Sequence, residues 1–423
     1  MKKNIILILC FILFACGETD DGLSENEAWG ISSSEQQEDG VKKAKIAVDI
    51  IEKKKNNLQI DYGVFKKGGN RTFKVAVVIS GRYFEFFDAF RSILKGLMTV
   101  GWMKDADLSS CKNTSDLIEF VNENNISDYV SFPEELFFDL GWGRNTASMR
   151  SVLISNSDKE KIDLIIALGG IAGGIFAKLD EYSIPVLVDA VTDPIAAGII
   201  PGFEDSGKDF LTCRCDPEQF KRQIRLFYDV VKFKKLGIIY GDNESGRVYG
   251  AVGDVEAVAE EKGFEIVRNN NVIEDPPENQ LELCISKFKD ALEEISPKVD
   301  ALYIGASAGV TEGDVGEIVK IINKHKIPSF ALEGSIRVKA GILFGISMSG
   351  QVRAGVYNAK KIVAIFNGET PRNLLQLFEN VPSVAINIRT AKIIDYDIPI
   401  DIIAGSDEVY VDNQENISNA RDK

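Results

Sequence analysis

Three segments of this chain place chemically active residue types at suggestive spacings. The first, LGGIAGG over residues 168–174, follows an apolar run and opens a helical pattern, and Asp189 stands 20 residues beyond Gly169. Glycines at such a turn admit a pyrophosphate, and the acid can hold a ribose. The spacing, however, is GGxxGG rather than GxGxxG, and the turn follows the third predicted strand instead of the first. Backbone amides at a helix N-terminus would also receive a small carboxylate. The second segment, Gly305-Ala306-Ser307-Ala308-Gly309, matches the nucleophile elbow GxSxG between a strand and a helix. A serine nucleophile needs a base, and His325 is the only histidine. It lies at the far end of the helix that begins near Thr311, roughly 20 Å away. Small residues that let a ligand approach explain this loop better than a triad. The third segment is Asp193-Pro194, after the strand IPVLVDAVT; taken alone, it starts a turn.

The composition agrees with a binding rather than a catalytic role. Of 423 residues, 45% are hydrophobic and 27% charged, which is globular composition, with length for two to three domains. The formal charge is −15, from 49 basic and 64 acidic residues, which argues against a nucleic-acid binder. One histidine leaves little room for general-base chemistry or a zinc site, so neither a catalytic residue, a metal nor a cofactor is expected.

The N-terminus sets the compartment. Lys2 and Lys3 precede the apolar run Ile5 to Phe14, too short for a permanent span but suited to a signal peptide over 1–15. The ending Leu13-Phe14-Ala15-Cys16-Gly17 resembles the lipobox of bacterial lipoproteins, which implies acylation of Cys16. The alternative is an ordinary cleaved signal with a chance cysteine. Residues 16–70 read as an acidic tether followed by a short amphipathic helix carrying Val41, Ile46, Ile50 and Ile51. Cys111, Cys213, Cys215 and Cys284 have no metal-ligand spacing; buried thiols are the expectation, although disulfides are chemically open to an exported protein.

From about Arg71 the chain alternates apolar runs with helical patterns. Strands are predicted at 74–80, 129–132, 163–168, 184–190, 210–213, 236–240, 265–268, 301–304, 327–332 and 342–346. Helices are predicted at 88–101, 216–232, 248–263 and 281–295, among others. Continuous Val/Ile/Leu strands alternating with helices predict an α/β protein with parallel sheets covered on both faces. About ten strands exceed one small doubly wound domain, so two lobes are expected, with ligands at the carboxyl ends of the strands.

Several segments then resemble one family in order. VLVDAVTDPIAAGII is similar to the "VDPVAAGLV" stretch of bacterial ABC-transporter substrate-binding proteins related to tryptophan and tyrosine uptake systems. DLIIALGGIAGGIFAKLDEYSIPV resembles their "DLIVAIGTPAA…IPV", and KKLGIIYGDNESGRVYG their "KIGVIYNPSEANS". IPSFALEGSIRVKAGILFGISMSGQVRAGVYNAKKIVAIFNGETPRN is similar to "IPVFASEE…VKAGALASVGVDYYELGRQAA…ILKGGKPA", and NIRTAKIIDYDIPIDIIAGSDEVY to "NLKTAKALGLTIPPSLLARADEVI". The resemblance runs from about Phe73 to Tyr410.

This resemblance implies a type I periplasmic-binding fold, two doubly wound parallel-sheet lobes joined by a multi-strand hinge. Lobe one is placed at 71–193 plus 346–372, lobe two at 194–345 plus 373–412, and a tail at 413–423. Carried over, ligand contacts fall on Ser80, Gly81, Gly170, Ile171, Thr192 and Asp193 in lobe one. Lobe two would offer Asn243, Ser245, Ser307 and Glu333. Hydroxyls and helix N-termini suit a carboxylate, and an acid suits an ammonium. The family's "GT" is Gly169-Gly170 here, which removes a hydroxyl, and residues 101–160 add Trp102, Trp142 and Phe137-Phe138, rings that are either core or ligand-facing. The implied function is a monomeric, extracytoplasmic, lipid-anchored protein that captures a small molecule, an amino acid or related carboxylate, for an ABC permease and ATPase. The alternatives are a ligand-sensing surface lipoprotein of the same fold and an extracytoplasmic hydrolase using Ser307.

Overall fold

The computed structural model describes residues 71–155, 162–274, 280–311, 313–332, 334–346, 349–379, 384–412 and 415–416. The expected signal peptide, the lipidation site Cys16, the tether and Glu333 lie outside the described residues.

In the first lobe the strands are β1 (Phe73–Ile79), β2 (Val130–Ser131), β3 (Phe137–Asp139), β4 (Leu164–Leu168), β5 (Val186–Asp189) and β6 (Leu211–Cys213). They form one parallel sheet in the order β2-β1-β4-β5-β6, with β3 beside the second half of β1. In the second lobe they are β7 (Lys235–Gly241), β8 (Glu265–Val272), β9 (Ala301–Ile304), β10 (Ser329–Ala331), β11 (Phe344–Ile346), β12 (Val384–Asn387), β13 (Glu408–Asp412) and β14 (Glu415–Asn416). Their order is β14-β13-β12-β11-β10-β9-β7-β8, parallel from β8 to β11 and antiparallel at β11/β12 and β13/β14. Each lobe therefore starts beside one edge of its first strand, with β2 and β3 on one side of β1 and β8 on one side of β7, and then crosses to the other edge with β4 and β9. The order reverses between β1 and β4 and again between β7 and β9, and such switch points open a crevice at the carboxyl ends of the strands.

Helices cover both faces. They are α1 (Phe84–Thr99), α2 (Thr114–Glu123), α3 (Thr146–Met149), α4 (Gly170–Ala177), α5 (Gln219–Val231), α6 (Glu244–Tyr249), α7 (Val252–Lys262), α8 (Leu281–Ile295), α9 (Val315–Lys324), α10 (Gly334–Ala340), α11 (Ser349–Phe366), α12 (Ile388–Ile393) and α13 (Ile400–Gly405). Successive strand residues point to opposite faces, so β1 divides its side chains. Val75, Val77 and Ile79 pack with Phe90 and Leu94 of α1 and with Ile362 of α11, whereas Ala76 and Val78 pack with Phe176 of α4. The second sheet repeats the division: Leu236, Ile238 and Tyr240 face α5 and α7, and Ile239 faces α8 and α9. All five residues of β4 are buried, as a strand covered twice must be. Helix α1 presents Phe86, Phe90, Ile93, Leu94 and Leu97 at helical spacing, and each such side chain contributes about 1.5–3 kcal/mol on burial.

The ten predicted strands all overlap observed ones; β3, β12, β13 and β14 are additions. The predicted helix at 248–263 is broken at Ala251, which takes a left-handed φ of 48° between α6 and α7. The lobe boundary also moves. Strand β6 pairs with β5, Val186 opposite Leu211, so the chain stays with the first sheet through Cys213 instead of leaving after Asp193. Three passages join the lobes: from β6 to α5, from β11 to α11, and from Phe378 to β12. The first and third run side by side where Cys215 bridges Leu377. Polar groups seal them to lobe one. Lys361 of α11 is fully buried and donates to Thr212 Oγ1 at 3.0 Å and to the Cys213 carbonyl at 2.8 Å. Gln376 Oε1 accepts from the same threonine hydroxyl at 3.0 Å and from the Cys213 amide at 2.6 Å. The four described cysteines are buried and free.

Candidate functional site

At the first switch point, β1 ends and Ser80 begins the loop. Its side chain is buried; Oγ donates to the Leu168 carbonyl at 3.0 Å and accepts from the Ala172 amide at 3.0 Å. The hydroxyl therefore ties the end of β4 to the first turn of α4, and both of its roles are filled. Gly81 lies beneath an indole: a Cβ there would come within 2.5 Å of the Trp142 ring. Trp142 is carried by three successive left-handed residues, Gly141, Trp142 and Gly143, with φ of 52°, 59° and 91°. Its amide donates to the Ser80 carbonyl at 2.7 Å, which anchors this turn to β1. Tyr83 and Phe86 pack on the indole with centroids at 6.1 and 6.0 Å, and Phe84 packs on Tyr83 at 4.8 Å. The indole stays 48% exposed and Tyr83 and Phe84 half-buried, so these rings form an open apolar wall. Trp102, by contrast, is core, and so is Phe138.

Gly169 adopts a φ of 91°, and a Cβ on it would meet Phe86 Cζ and Ser80 Oγ at 2.5 Å. Beside it Gly170 is exposed, with no atom near enough to crowd a side chain, and Ile171 is half-buried. Thr192 and Asp193 follow β5, both half-buried. Asp193 Oδ1 accepts from the amides of Ile195 at 3.0 Å and Ala196 at 2.9 Å. Asp189, the acid of the dinucleotide pattern, is fully employed inside: Oδ1 accepts from Arg214 Nε at 2.5 Å and Oδ2 from Asn358 at 2.6 Å. A ribose would find neither oxygen open.

At the second switch point, Asn243 caps α6 by accepting from the Gly246 amide at 2.7 Å, and Ser245 is half-buried. After β9, Ser307 Oγ accepts from the Gly309 amide at 3.2 Å. His325 sits past the last residue of α9 and meets Glu293 at 3.1 Å, so the serine elbow has no histidine to activate it. Glu274 receives the Ala308 amide at 2.9 Å, and the buried Arg337 of α10 donates to the Val310 carbonyl at 2.9 Å. Among the described residues, the sequence-predicted contacts follow the strands at the two switch points, except Thr192 and Asp193, which follow β5 beside the first; Glu333 lies outside the described residues.

Sequence reasoning passed over Glu85. It stands in the first turn of α1, half-buried, and burial pushes its carboxyl up to about 7, against Arg337 of lobe two and Arg214, which pull it down. An acid set between aromatic residues in RYFEFF, directly after a buried strand, was the signal available.

Known proteins share this fold. The family described as ABC transporter substrate binding protein matches residues 142–410. A tyrosine-binding protein of Clostridioides difficile (strain R20291) is 22% identical over 278 residues, 65% of this chain and 73% of that one. Among solved structures, a conserved domain protein of Vibrio cholerae superposes with a TM-score of 0.60 at 18% identity, covering 80% of this chain and 100% of that one. An ABC domain in complex with L-Trp from Streptococcus pneumonia superposes with a TM-score of 0.58 at 20% identity, with the same coverage.

Proposed function

The chain belongs to the family of ABC transporter substrate-binding proteins, and on that premise we propose that it captures an amino acid with an aromatic side chain between its two lobes. Such proteins work outside the cytoplasm. The observation that carries the reading is the wall of Tyr83, Phe84 and Trp142 at the β1/β4 switch point, left open to solvent. Exposed rings at the mouth of a binding crevice gain most from a ligand that is itself a flat ring. Ligands of relatives point the same way: tyrosine for the clostridial protein and L-Trp for the streptococcal one. Gly170 and Ile171 line the approach on this lobe beside the indole that covers Gly81, and Ser245 and Ser307 offer hydroxyls from the other. Calorimetric titration with L-tyrosine, L-tryptophan and L-alanine tests the reading. One aromatic amino acid binding at least tenfold tighter than alanine supports it; equal or no binding of all three sinks it.

Cys16 carries the lipid in this reading, and the protein hands its ligand to a permease and its ATPase. A Cys16→Ala protein is then secreted in soluble form, since a lipid is the anchor the sequence offers. Membrane association of that variant after a high-salt wash would count against the anchor.

A further inference from the structure

The amino-acid ligand needs an acceptor for its ammonium group, and the acids near the crevice differ in what they have left to give. Asp189 has both oxygens engaged, and Asp193 spends Oδ1 on two turn amides, which fixes its carboxylate against the turn. Glu274 already receives the Ala308 amide, while Asp242 and Glu244 at the second switch point are exposed to water. Glu85 is half-buried, and its carboxyl makes no hydrogen bond or ion pair with any described residue. It sits in the first turn after β1, between Phe84 and Phe86, the latter packed on Trp142. The charges facing it are Arg337 from α10, Arg214 from the first passage between the lobes, and Asp88 from its own helix. Each has a partner of its own: the Val310 carbonyl, Asp189 and Arg91 respectively. We propose that Glu85 accepts the ammonium group of the captured amino acid, a role that rests on reading the crevice as an amino-acid site.

One consequence separates this role from a structural one. With its carboxyl at about 7, free Glu85 is protonated about half the time at neutral pH, whereas an ammonium neighbour demands the carboxylate. Binding therefore expels a proton, and affinity falls as pH falls through 7. Titrations of L-tyrosine and L-tryptophan in buffers of differing ionisation enthalpy, at pH 6, 7 and 8, read this directly. The expected result is release of about half a proton at pH 7 and a roughly tenfold weaker Kd at pH 6 than at pH 8. Glu85→Gln should abolish both and weaken binding at pH 8 by about ten- to a hundredfold, with its fold checked by thermal melting. The desamino analogues indole-3-propionate and 3-(4-hydroxyphenyl)propionate, offered to the unaltered protein, should release no proton, a comparison that needs no variant. Amino-acid binding without proton release, or release that persists in Glu85→Gln, overturns the role of Glu85 and leaves the aromatic reading standing. Failure of both amino acids to bind the unaltered protein overturns the reading of the crevice and the role with it.

Discussion

Trp142 and Asp193 mark opposite ends of what one residue can contribute here. The indole of Trp142 is 48% exposed and leans on Gly81, Tyr83 and Phe86, so it can be removed without opening the core. Trp142→Ala should weaken binding of L-tryptophan or L-tyrosine by about 1–3 kcal/mol, roughly five- to 150-fold, with a ligand-free melting temperature near that of the unaltered protein. Asp193 makes the reverse forecast. Its carboxylate accepts two turn amides, so Asp193→Ala should cost about 0.5–2 kcal/mol of stability and leave affinity largely intact. Read as a sequence, Asp193 is a candidate for the ligand's ammonium; in the fold its Oδ1 is spent on the turn. Calorimetry and thermal melts on the two variants decide both forecasts, and an Asp193→Ala protein that binds poorly but melts normally would return that acid to the ligand.

Among the elements, α1 and α11 meet most closely. A Cβ on Gly355 would lie 2.0 Å from the Ser92 carbonyl oxygen, and one on Gly96 would lie 2.3 Å from the Gly355 oxygen. The two backbones touch with no side chain between them, and neither oxygen can swing aside as a side-chain terminus would. Gly355→Ala must force the helices apart, and overpacking of this kind costs about 1–3 kcal/mol, enough to lower the melting temperature by several degrees. Gly174→Ala is the matched control, since that glycine lies inside α4 with open space around it and alanine is the better helix former. A Gly355→Ala protein as stable as the control would mean that the crossing yields at no cost. Because the second passage between the lobes ends at α11, this contact fixes that end to the body of lobe one.

At the scale of the whole molecule, the passages converge on Arg214. It donates to Asp189 of β5, its guanidinium lies 5.6 Å from the ring of Phe378 on the third passage, and Asp189 also holds Asn358 of α11. One carboxylate thus joins two of the passages to the first sheet directly and the third through Arg214. Asp189→Ala would strand a nearly buried guanidinium, and breaking such a pair costs about 3–5 kcal/mol. The expected outcome is a lower denaturation midpoint together with a wider spread of lobe separations by small-angle scattering. The unaltered protein should instead compact on adding L-tyrosine or L-tryptophan. A variant with unchanged midpoint and unchanged scattering would show that the passages are held elsewhere.

Much of this protein was legible in its sequence because the signals are local. Apolar runs such as VAVVI and LIIAL, alternating with helical patterns, specify buried parallel strands wherever the chain later places them. Glycines and turn formers after those strands mark the loops of the crevice for the same reason. What the sequence could not hold is which polar groups remain open once the chain is folded. Ser80 is claimed by Ala172, 92 positions away, and Asp189 by Asn358, 169 positions away. The lobe boundary depended likewise on β6 finding β5, and the aromatic wall on a left-handed turn that lays Trp142 over Gly81. Hydrogen-bond partners, neighbouring charges and burial are settled between segments remote in the chain. Only the tertiary structure could leave Glu85 half-buried and unpaired while, among the described residues, it gave Asp189, Asp193 and Glu274 hydrogen bonds and left Asp242 and Glu244 in water.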